Sequence, residues 1–493
     1  SDGRPGMSKG VPIGGAAGHL VSQPGVTANR HGLIAGATGT GKTVSLQVLA
    51  EGFSRIGTPV FITDVKGDLT GLGAPGSPHP EITRRLEAMP LPEFQQRGYP
   101  VLFWDVFGDH GHPVRTTITE FGPLLLASLL ELNDTQTGIL YAAFDIADDE
   151  GLLLLDLEDL RAMLRWMSEN AKSLRGQYGN ISAASVGAIQ RRLLVLESQG
   201  AEQFFGEPSV AIRDLMQHEF GGNGVISLLR SDRLIRESPR LYAAFLMWLL
   251  SELFEELPEV GDPEVPELVL FFDEAHLLFK GMPRPLLEKI EQVVRLVRSK
   301  GVGVYFVTQN PLDIPEAVLG QLGLKVQHAL RSFTPKDRKN IRAIAQGFPG
   351  DGTVDFEASI TTLGLGEALV SALDRTGAPS SATITLMKPP ESKIGPIDDS
   401  ARQQLVQRSP LSGKYEQEID RESAYEMLQE RARAAAARAA EQAAAAERAE
   451  STRKRKSSSR QSVAEAMLKS AARSAGRSLG SRLVRGLLGS LLK

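Results

Sequence analysis

Apolar residues come in short runs along most of the chain, and each run is bounded by Gly, Pro or polar turn residues. The runs are nearly continuous rather than alternating, which is typical of parallel strands covered on both faces. Segments with helical spacing lie between most runs, and this alternation predicts an α/β fold with a mostly parallel sheet. The predicted strands span residues 32–35, 59–63, 101–106, 224–229, 268–272, 302–308 and 325–330.

One region departs from this alternation. Residues 122–222 are almost entirely helical in pattern and predict an α-helical insertion that divides the core into residues 30–121 and 223–396. The helices predicted there span residues 123–132, 136–147, 156–167, 182–199 and 210–220. The leading residues 1–29 are rich in Gly, Pro and Ser, a composition that fits either a loop or a small hairpin.

The last part of the chain has two distinct compositions. Residues 397–450 form a predicted linker followed by a long Ala-, Glu- and Arg-rich helix, which begins near residue 416. Residues 451–493 predict a basic amphipathic tail, which is interrupted by several glycines. Four interpretations of this tail remain open: a clamp on DNA or another polyanion, a membrane-surface helix, a helix docked on another subunit, and a solvated tail that orders on contact.

The overall charge of −4 hides a strong asymmetry. Residues 451–493 carry eleven Lys or Arg and one acid, whereas residues 1–450 carry 44 bases and 58 acids. An acidic body with a basic tail therefore indicates a polyanionic partner for the tail rather than for the body. Cysteine is absent, which excludes disulfides, thiolate metal sites and cysteine nucleophiles. No apolar run is long enough to span a bilayer and no signal region opens the chain, so we expect a cytoplasmic protein.

The first motif with a clear chemistry is GATGTGKT at residues 36–43. It matches G-x-x-x-x-G-K-[ST], follows an apolar strand and opens a helical pattern, as a phosphate-binding loop requires. Lys42 would reach the β- and γ-phosphates of a nucleotide and the Thr43 hydroxyl would coordinate Mg²⁺. The residues expected to bind the nucleotide are Gly36, Ala37, Thr38, Gly39, Thr40, Gly41, Lys42, Thr43 and Val44.

A second motif places two acids at the end of a strand. The apolar run 268–272 leads into Asp273, Glu274 and, two residues later, His276. Beside a phosphate loop, Asp273 is expected to hold Mg²⁺, and Glu274 is expected to polarise the attacking water. His276 fits either of two roles, sensing phosphate or capping the next helix.

Further polar residues follow the neighbouring runs. Gln309 ends the strand predicted over 302–308 and is a candidate sensor of the γ-phosphate, although Asn-Pro turn chemistry also explains its position. Arg331 and Arg298 are candidates for a catalytic arginine supplied to a neighbouring subunit, and Arg331 is preferred because it follows a predicted strand. Asp64, Lys66 and Asp68 fit either the nucleotide crevice or a charged surface loop.

Four segments taken together resemble the HerA-like bacterial ATPase family of the HerA/FtsK branch: GATGTGKT, ITDVKGDLTGL, LFFDEAH and FVTQNPLDIPEAVLGQLGLKVQHALR. The resemblance covers roughly residues 29–396. It implies a RecA-like P-loop core with an additional strand beside the catalytic Glu, and hexameric rings with nucleotide at the subunit interfaces. It also implies the roles given above for Lys42, Thr43, Asp273, Glu274 and Gln309, and the less secure role of Arg331.

The sequence departs from this family in two respects. The N-terminal β-barrel of full-length HerA motors is not evident in residues 1–29, and the Ala-rich and basic segments lie outside the resemblance. The leading hypothesis is a Mg²⁺-dependent ATPase that acts as a ring motor on DNA. The alternative is a nucleotide-gated assembly or scaffold protein that recruits a membrane or protein partner through its tail.

Overall fold

The computed structural model describes residues 9–89, 91, 94–280, 284–350 and 352–456. The tail predicted over 451–493 therefore lies outside the described residues from position 457 onward. The chain divides into two compact units. The first comprises Ser1–Thr116 with Ser198–Glu418, and the second comprises Thr117–Glu197 with Ile419–Lys493. No helix in the described ranges combines the length and the apolar character that crossing a bilayer requires.

The first unit is built on one twelve-stranded sheet with the spatial order β2-β1-β12-β11-β10-β3-β9-β8-β4-β7-β5-β6. The eight strands from β10 to β6 run parallel, and the remaining four are antiparallel to their neighbours. The strands are β1 Gly10–Ala16, β2 His19–Pro24, β3 Gly32–Ala35, β4 Val60–Asp64, β5 Val101–Asp105, β6 His112–Pro113, β7 Ile226–Arg230, β8 Leu268–Phe272, β9 Val302–Thr308, β10 Leu324–Gln327, β11 Glu367–Ser371 and β12 Thr383–Met387.

Seven of the eight parallel strands in the described chain lie where the apolar runs predict them, and the two-residue strand β6 was not predicted. Every residue of β3, β8 and β9 is buried, because helices cover both faces of the parallel region. The mostly parallel α/β fold predicted from the sequence is confirmed, and the bounds of these three strands agree with the prediction. The strand predicted over 325–330 ends earlier, at Gln327, because the residues after it leave the sheet to contact the loop that follows β3.

The antiparallel part of the sheet is where sequence reasoning was incomplete. Of the two readings of residues 1–29, the structure has the hairpin, formed by β1 and β2. Strands β11 and β12 were missed, and β12 has an irregular burial pattern with two exposed residues at its start. Although β12 lies inside the sheet between β1 and β11, its mixture of Thr and apolar residues lacks the continuous apolar run by which buried strands are recognised.

Sixteen α-helices complete the described chain: α1 Lys42–Arg55, α2 Pro80–Glu87, α3 Ile118–Leu129, α4 Asp134–Asp149, α5 Leu157–Glu169, α6 Ala171–Tyr178, α7 Ala183–Ser198, α8 Asp232–Glu237, α9 Pro239–Glu256, α10 His276–Phe279, α11 Arg284–Val297, α12 Glu316–Leu319, α13 Pro335–Gln346, α14 Phe356–Thr362, α15 Asp399–Gln407 and α16 Ala424–Lys456. Helix α1 is fixed to the sheet through Phe53, whose ring lies 6.2 Å from that of Phe271 in β8 and 5.5 Å from that of Tyr305 in β9. All three rings are buried, so the last turn of α1 is fixed against the sheet.

The second unit is helical. It contains α3 to α7 up to Glu197, and α16. Asp159 of α5 accepts hydrogen bonds from Ser423 Oγ at 2.5 Å and from the backbone N–H of Tyr425 at 2.8 Å, which anchors the first turn of α16. The long Ala-rich helix predicted from the sequence is thus present, although it begins at Ala424 rather than near residue 416.

One predicted helix is wrong. Residues 210–220, in the first unit, contain only the short 3₁₀ turn Ile212–Leu215, followed by an isolated bridge between His218 and Gly224. The apolar spacing of this segment arises because Ile212 and Leu215 are buried in the core, not because a continuous helix forms.

Candidate functional site

The polar motifs meet at the carboxyl edge of the parallel sheet. Strands β3, β9, β8 and β4 are consecutive neighbours, and each is followed by one of the segments singled out in the sequence. The loop 36–41 follows β3, Gln309 follows β9, and Asp273 with Glu274 follows β8. Because the carboxyl ends of parallel strands share one edge, segments far apart in sequence form a single site there.

The loop after β3 has the backbone that a phosphate-binding loop needs. Gly36, Gly39 and Gly41 have φ values of 153°, 79° and 110°, a region that side chains with a Cβ rarely adopt. Thr40 Oγ1 donates to the carbonyl of Ala37 at 2.7 Å, which closes the turn. Helix α1 then begins at Lys42, so its N-terminal N–H groups and dipole face the loop. Thr43 and Val44 follow in the first turn, half-buried.

Lys42 lies folded over this loop. Its Nζ donates to the carbonyl oxygens of Gly36 at 2.6 Å and Ala37 at 3.0 Å. Burial lowers the pKa of Lys42, and the charges of Glu274 and Asp273 partly oppose that effect. A half-buried cation with such partners favours an anionic ligand, because a phosphate would supply the full countercharge that carbonyl dipoles do not.

Asp273 is held in a fixed position at the end of β8. Its backbone N–H donates to Thr63 Oγ1 at 3.0 Å, and its Oδ1 accepts from the N–H of Glu274 at 2.9 Å. Tyr242 Oη also donates to Thr63 Oγ1, at 3.0 Å. Burial raises the pKa of Asp273 to about 7, and the neighbouring carboxylates of Glu274 and Asp64 add to this shift. A buried carboxyl group whose charge is so disfavoured is suited to a cation.

Glu274 has an unusual backbone. Its φ of 49° lies in the left-handed region, which a residue with a Cβ adopts only when its surroundings impose it. Its Oε1 accepts from Gln309 Nε2 at 3.4 Å, and its Oε2 lies 3.3 Å from His276 Nδ1. Oε2 is buried and makes no hydrogen bond. The structure therefore brings Glu274 and Gln309 together and leaves one carboxylate oxygen without a donor.

The residues present fit a nucleotide with Mg²⁺. Within the described ranges, no three His, Asp or Glu side chains converge as a metal site on their own. A cation here would accordingly share its ligands between the protein and phosphate oxygens, as Mg²⁺ does in nucleotide sites. The positive-φ glycines, the half-buried Asp273 whose charge burial disfavours, and the Glu274 oxygen that makes no hydrogen bond are the observations on which this fit rests.

Other candidates are placed differently. Arg331 lies four residues beyond β10, is exposed, and has no hydrogen bond or ion pair within the described part of the chain. Arg298 lies at the opposite, amino edge of the sheet, where its Nη2 is 3.2 Å from Asp262. Asp64 accepts from the N–H groups of Gly67 at 2.8 Å and Leu69 at 3.2 Å, so it shapes its own turn at the edge of the site.

Sequence reasoning missed His328. Its ring is buried between the phosphate loop and β11, with Nε2 2.8 Å from Ser45 Oγ and Nδ1 3.0 Å from the carbonyl of Glu367. Burial lowers the pKa of His328 to about 4, so the ring is neutral; Nδ1–H donates to the carbonyl and Nε2 accepts from Ser45. A Cβ on Gly36 would lie 2.5 Å from the Cβ of His328. Its role depends on β10 pairing with β3, which no local pattern shows.

A parallel sheet in which one strand separates the phosphate-loop strand from the acidic strand defines a P-loop NTPase of the additional-strand type. The chain belongs to the family of helicase HerA-like C-terminal domains, whose model matches residues 15–493. The resemblance found in the sequence is thereby confirmed.

Similar solved structures include the bacterial conjugative coupling protein TrwB without its first 70 residues, at 18% identity over 79% of this chain and 91% of that one, with a TM-score of 0.47. VirB4 of Thermoanaerobacter pseudethanolicus matches at 16% identity over 78% and 98% of the two chains, with a TM-score of 0.49. TrwB in complex with the ATP analogue ADPNP matches at 17% identity over 75% and 87%, with a TM-score of 0.48. No curated protein matches the chain.

Proposed function

We propose that this protein is a Mg²⁺-dependent ATPase that works as an oligomeric ring motor on DNA. The observation that carries the proposal is the meeting of Lys42 and the phosphate loop with Asp273, Glu274 and Gln309 at one sheet edge. Membership of the helicase HerA-like family supports DNA as the substrate. The hexameric ring is the assembly that the resemblance implies.

Each residue has a role that follows from its surroundings. Lys42 exchanges its two carbonyl partners for the β- and γ-phosphate oxygens, and the loop N–H groups surround them. Thr43 and Asp273 would hold Mg²⁺, and the partial burial of Asp273 disfavours its charge in the absence of a cation. Bound there, Mg²⁺ would supply positive charge that stabilises the charge developing on the transferred phosphoryl group.

Glu274 acts as the general base. Its Oε2, which makes no hydrogen bond and lies 3.3 Å from His276 Nδ1, would accept a proton from the attacking water, while Oε1 stays in contact with Gln309. Gln309 directly follows β9, the strand between the phosphate-loop strand and the acidic strand, and this position supports a role in sensing the γ-phosphate. Arg331 is the arginine offered to the nucleotide of a neighbouring subunit, because it is exposed and has no partner in the described chain.

The test measures ATP hydrolysis and particle size in the same samples, with and without double-stranded DNA. We expect Mg²⁺-dependent turnover that DNA stimulates, with the stimulation lost at high salt. Lys42→Ala is expected to abolish turnover, and Lys336→Ala, which removes an exposed lysine of α13, is the matched control.

Turnover that persists undiminished in Lys42→Ala would contradict the enzymatic proposal. Turnover that ignores DNA, together with a particle size that depends on nucleotide, would instead support the nucleotide-gated scaffold.

A further inference from the structure

A cavity of about 610 Å³ opens at the amino edge of the parallel sheet, opposite the phosphate loop. Its walls come from the residues that precede β3, β9 and β10, from α11 and from the segment that follows α13. Four of the lining residues are cationic, and none of the described residues that line it is acidic. Those four are Arg30, Arg295, Arg298 and Lys325. The charged residues of the lining are therefore all cationic, although residues 1–450 carry a net negative charge.

Most of this positive charge is not neutralised by carboxylates. Arg30 and Arg298 share one acid, Asp262, each with an Nη2 to carboxylate distance of 3.2 Å. Arg295 is exposed and forms no ion pair within the described ranges. Lys325 donates its Nζ proton to the carbonyl of Gly347 at 2.9 Å and faces no carboxylate there. The cavity wall therefore holds about three uncompensated positive charges.

The same wall carries an aromatic ring. Phe348 is half-buried, and the Nζ of Lys325 lies 5.9 Å from its centroid. Lysine and arginine side chains beside an aromatic face match a phosphate joined to a base, because the charge and the stacking surface are both satisfied. The body thus has a basic and aromatic surface that no sequence run indicates, because its residues come from separate elements.

The cavity continues into a second one of about 900 Å³. The two share five lining residues: Leu319, Gly320, Lys325, Gly347 and Phe348. The second cavity is lined largely by apolar side chains, and its charged lining residues are Lys280, Asp313 and Glu316, so the net positive charge of the groove lies at the amino edge. It reaches His276, whose Nδ1 lies 3.3 Å from Glu274. Together they form a groove that starts at the cationic amino edge and ends beside the residues proposed to hydrolyse ATP.

We propose that this groove binds a single strand of nucleic acid, with backbone phosphates against Arg295 and Lys325 and bases toward Phe348. The volumes of the two joined cavities favour a strand over one free nucleotide. The inference rests on the proposed function in that the bound strand belongs to the DNA on which the motor acts. Occupancy of the groove acts on hydrolysis through His276.

The test is fluorescence anisotropy of a labelled dT20 oligonucleotide with the full chain over a range of salt concentrations. For the double variant Arg295→Ala with Lys325→Gln, we expect roughly tenfold weaker binding, and a salt slope lower by about 1.4 because two phosphate contacts are lost. Arg295→Ala alone changes an exposed helical residue and is expected to show a smaller shift in the same direction. The basic residues 451–493 are common to every variant, so they do not contribute to the difference.

The matched control is Arg284→Ala with Arg342→Ala, which removes two exposed, ion-paired arginines from α11 and α13 at positions that line neither cavity. Binding and salt slope in the groove variants equal to those of the control would overturn the inference. Competition by free dTMP at equal phosphate concentration would also overturn it, since it would assign the pocket to nucleotides rather than to a strand. The ATPase rate of the unchanged protein without DNA tests the proposed function separately, because that rate does not involve the groove.

Discussion

The two edges of the parallel sheet treat the same chemical group in opposite ways. At the carboxyl edge, Asp273 is buried, and burial raises its pKa to about 7. At the amino edge, the slight burial of Asp262 acts to raise its pKa, but hydrogen bonds from Asn29 and Arg298 outweigh it and the pKa lies below the ordinary value. The difference teaches that burial disfavours carboxylate charge at one edge, whereas hydrogen bonds and ion pairs stabilise it at the other, and only the first is the pattern typical of functional sites.

A buried histidine near each edge repeats the contrast. Burial lowers the pKa of both His31 and His328 to about 4, so both rings are neutral. His31 accepts at Nδ1 from the N–H of Val304 and donates from Nε2 to the carbonyl of Val294, so both partners are backbone groups of the scaffold. His328 instead joins Ser45 of α1 to β11 beneath the phosphate loop. The first ring supports the fold, and the second supports the site.

The largest effect is expected from Glu274→Gln, which tests whether the carboxyl edge is catalytic. Turnover should fall by about 10²–10³-fold, since an amide cannot take a proton from water. Nucleotide binding should change little, because the amide keeps the shape of the side chain. Steady-state ATPase rates and titration with a fluorescent ADP analogue measure the two quantities. Glu441→Gln on the exposed face of α16 is the control. If the turnover of Glu274→Gln stays within threefold of that of the unchanged protein, Glu274 is not the general base.

A second experiment compares Asp273→Asn with Asp262→Asn. The folded pKa of Asp273 lies above its unfolded value of 3.8, so its carboxyl group destabilises the fold increasingly as pH rises from about 4 through 7. Asparagine removes that charge. We therefore expect the free energy of unfolding to increase by about 2 kcal/mol at pH 8, with no gain near pH 4.

The change at Asp262 has the opposite sign. Its folded pKa is lowered, so its charge stabilises the fold above the ordinary carboxyl pKa and this contribution is lost as pH falls. Asp262→Asn should lower stability at pH 8 by less than about 1 kcal/mol, because the pair is partly exposed. Chemical unfolding at pH 4, 6 and 8 measures both variants. If both variants change the free energy of unfolding in the same direction at pH 8, the two edges do not differ in the way proposed.

A smaller effect on activity than that of Glu274→Gln is expected at His328. Asn at this position keeps a donor near Nδ1, whereas Gln reaches the position of Nε2 and keeps an acceptor for Ser45. We expect the KM for ATP to rise about tenfold in His328→Asn and less in His328→Gln, with kcat nearly unchanged. His31→Asn is the comparison: it should lower the unfolding midpoint and leave KM alone. If neither change at His328 alters the KM for ATP, His328 contributes only to packing and not to nucleotide binding.

Much of the carboxyl edge could be predicted from the sequence because its signals are local. The runs that form β3, β8 and β9 are apolar throughout and end in polar residues, so both the strands and the loops after them are recognisable. The phosphate loop is a contiguous motif, and the positions of its glycines indicate where the backbone has positive φ values.

The rest depends on pairings across long sequence distances. His328 is important because β10 lies beside β3, and the cationic cavity exists because Arg30, Arg295 and Lys325 come from three separate elements. Neither fact is encoded in spacing. The antiparallel strands β11 and β12 also escaped prediction, since they are short and join the sheet through β10 and β1, which lie far from them in sequence.

The folded position of Lys42 has a consequence for selectivity. With its ammonium resting on two carbonyl groups of its own loop, the site is already internally satisfied before any ligand arrives. A ligand must therefore interact with the Lys42 ammonium more strongly than those two carbonyl dipoles do. A polyphosphate chain meets this requirement, whereas a single weakly charged group does not. A ligand therefore binds Lys42 only if it is a stronger hydrogen-bond acceptor than the two loop carbonyl groups that it replaces.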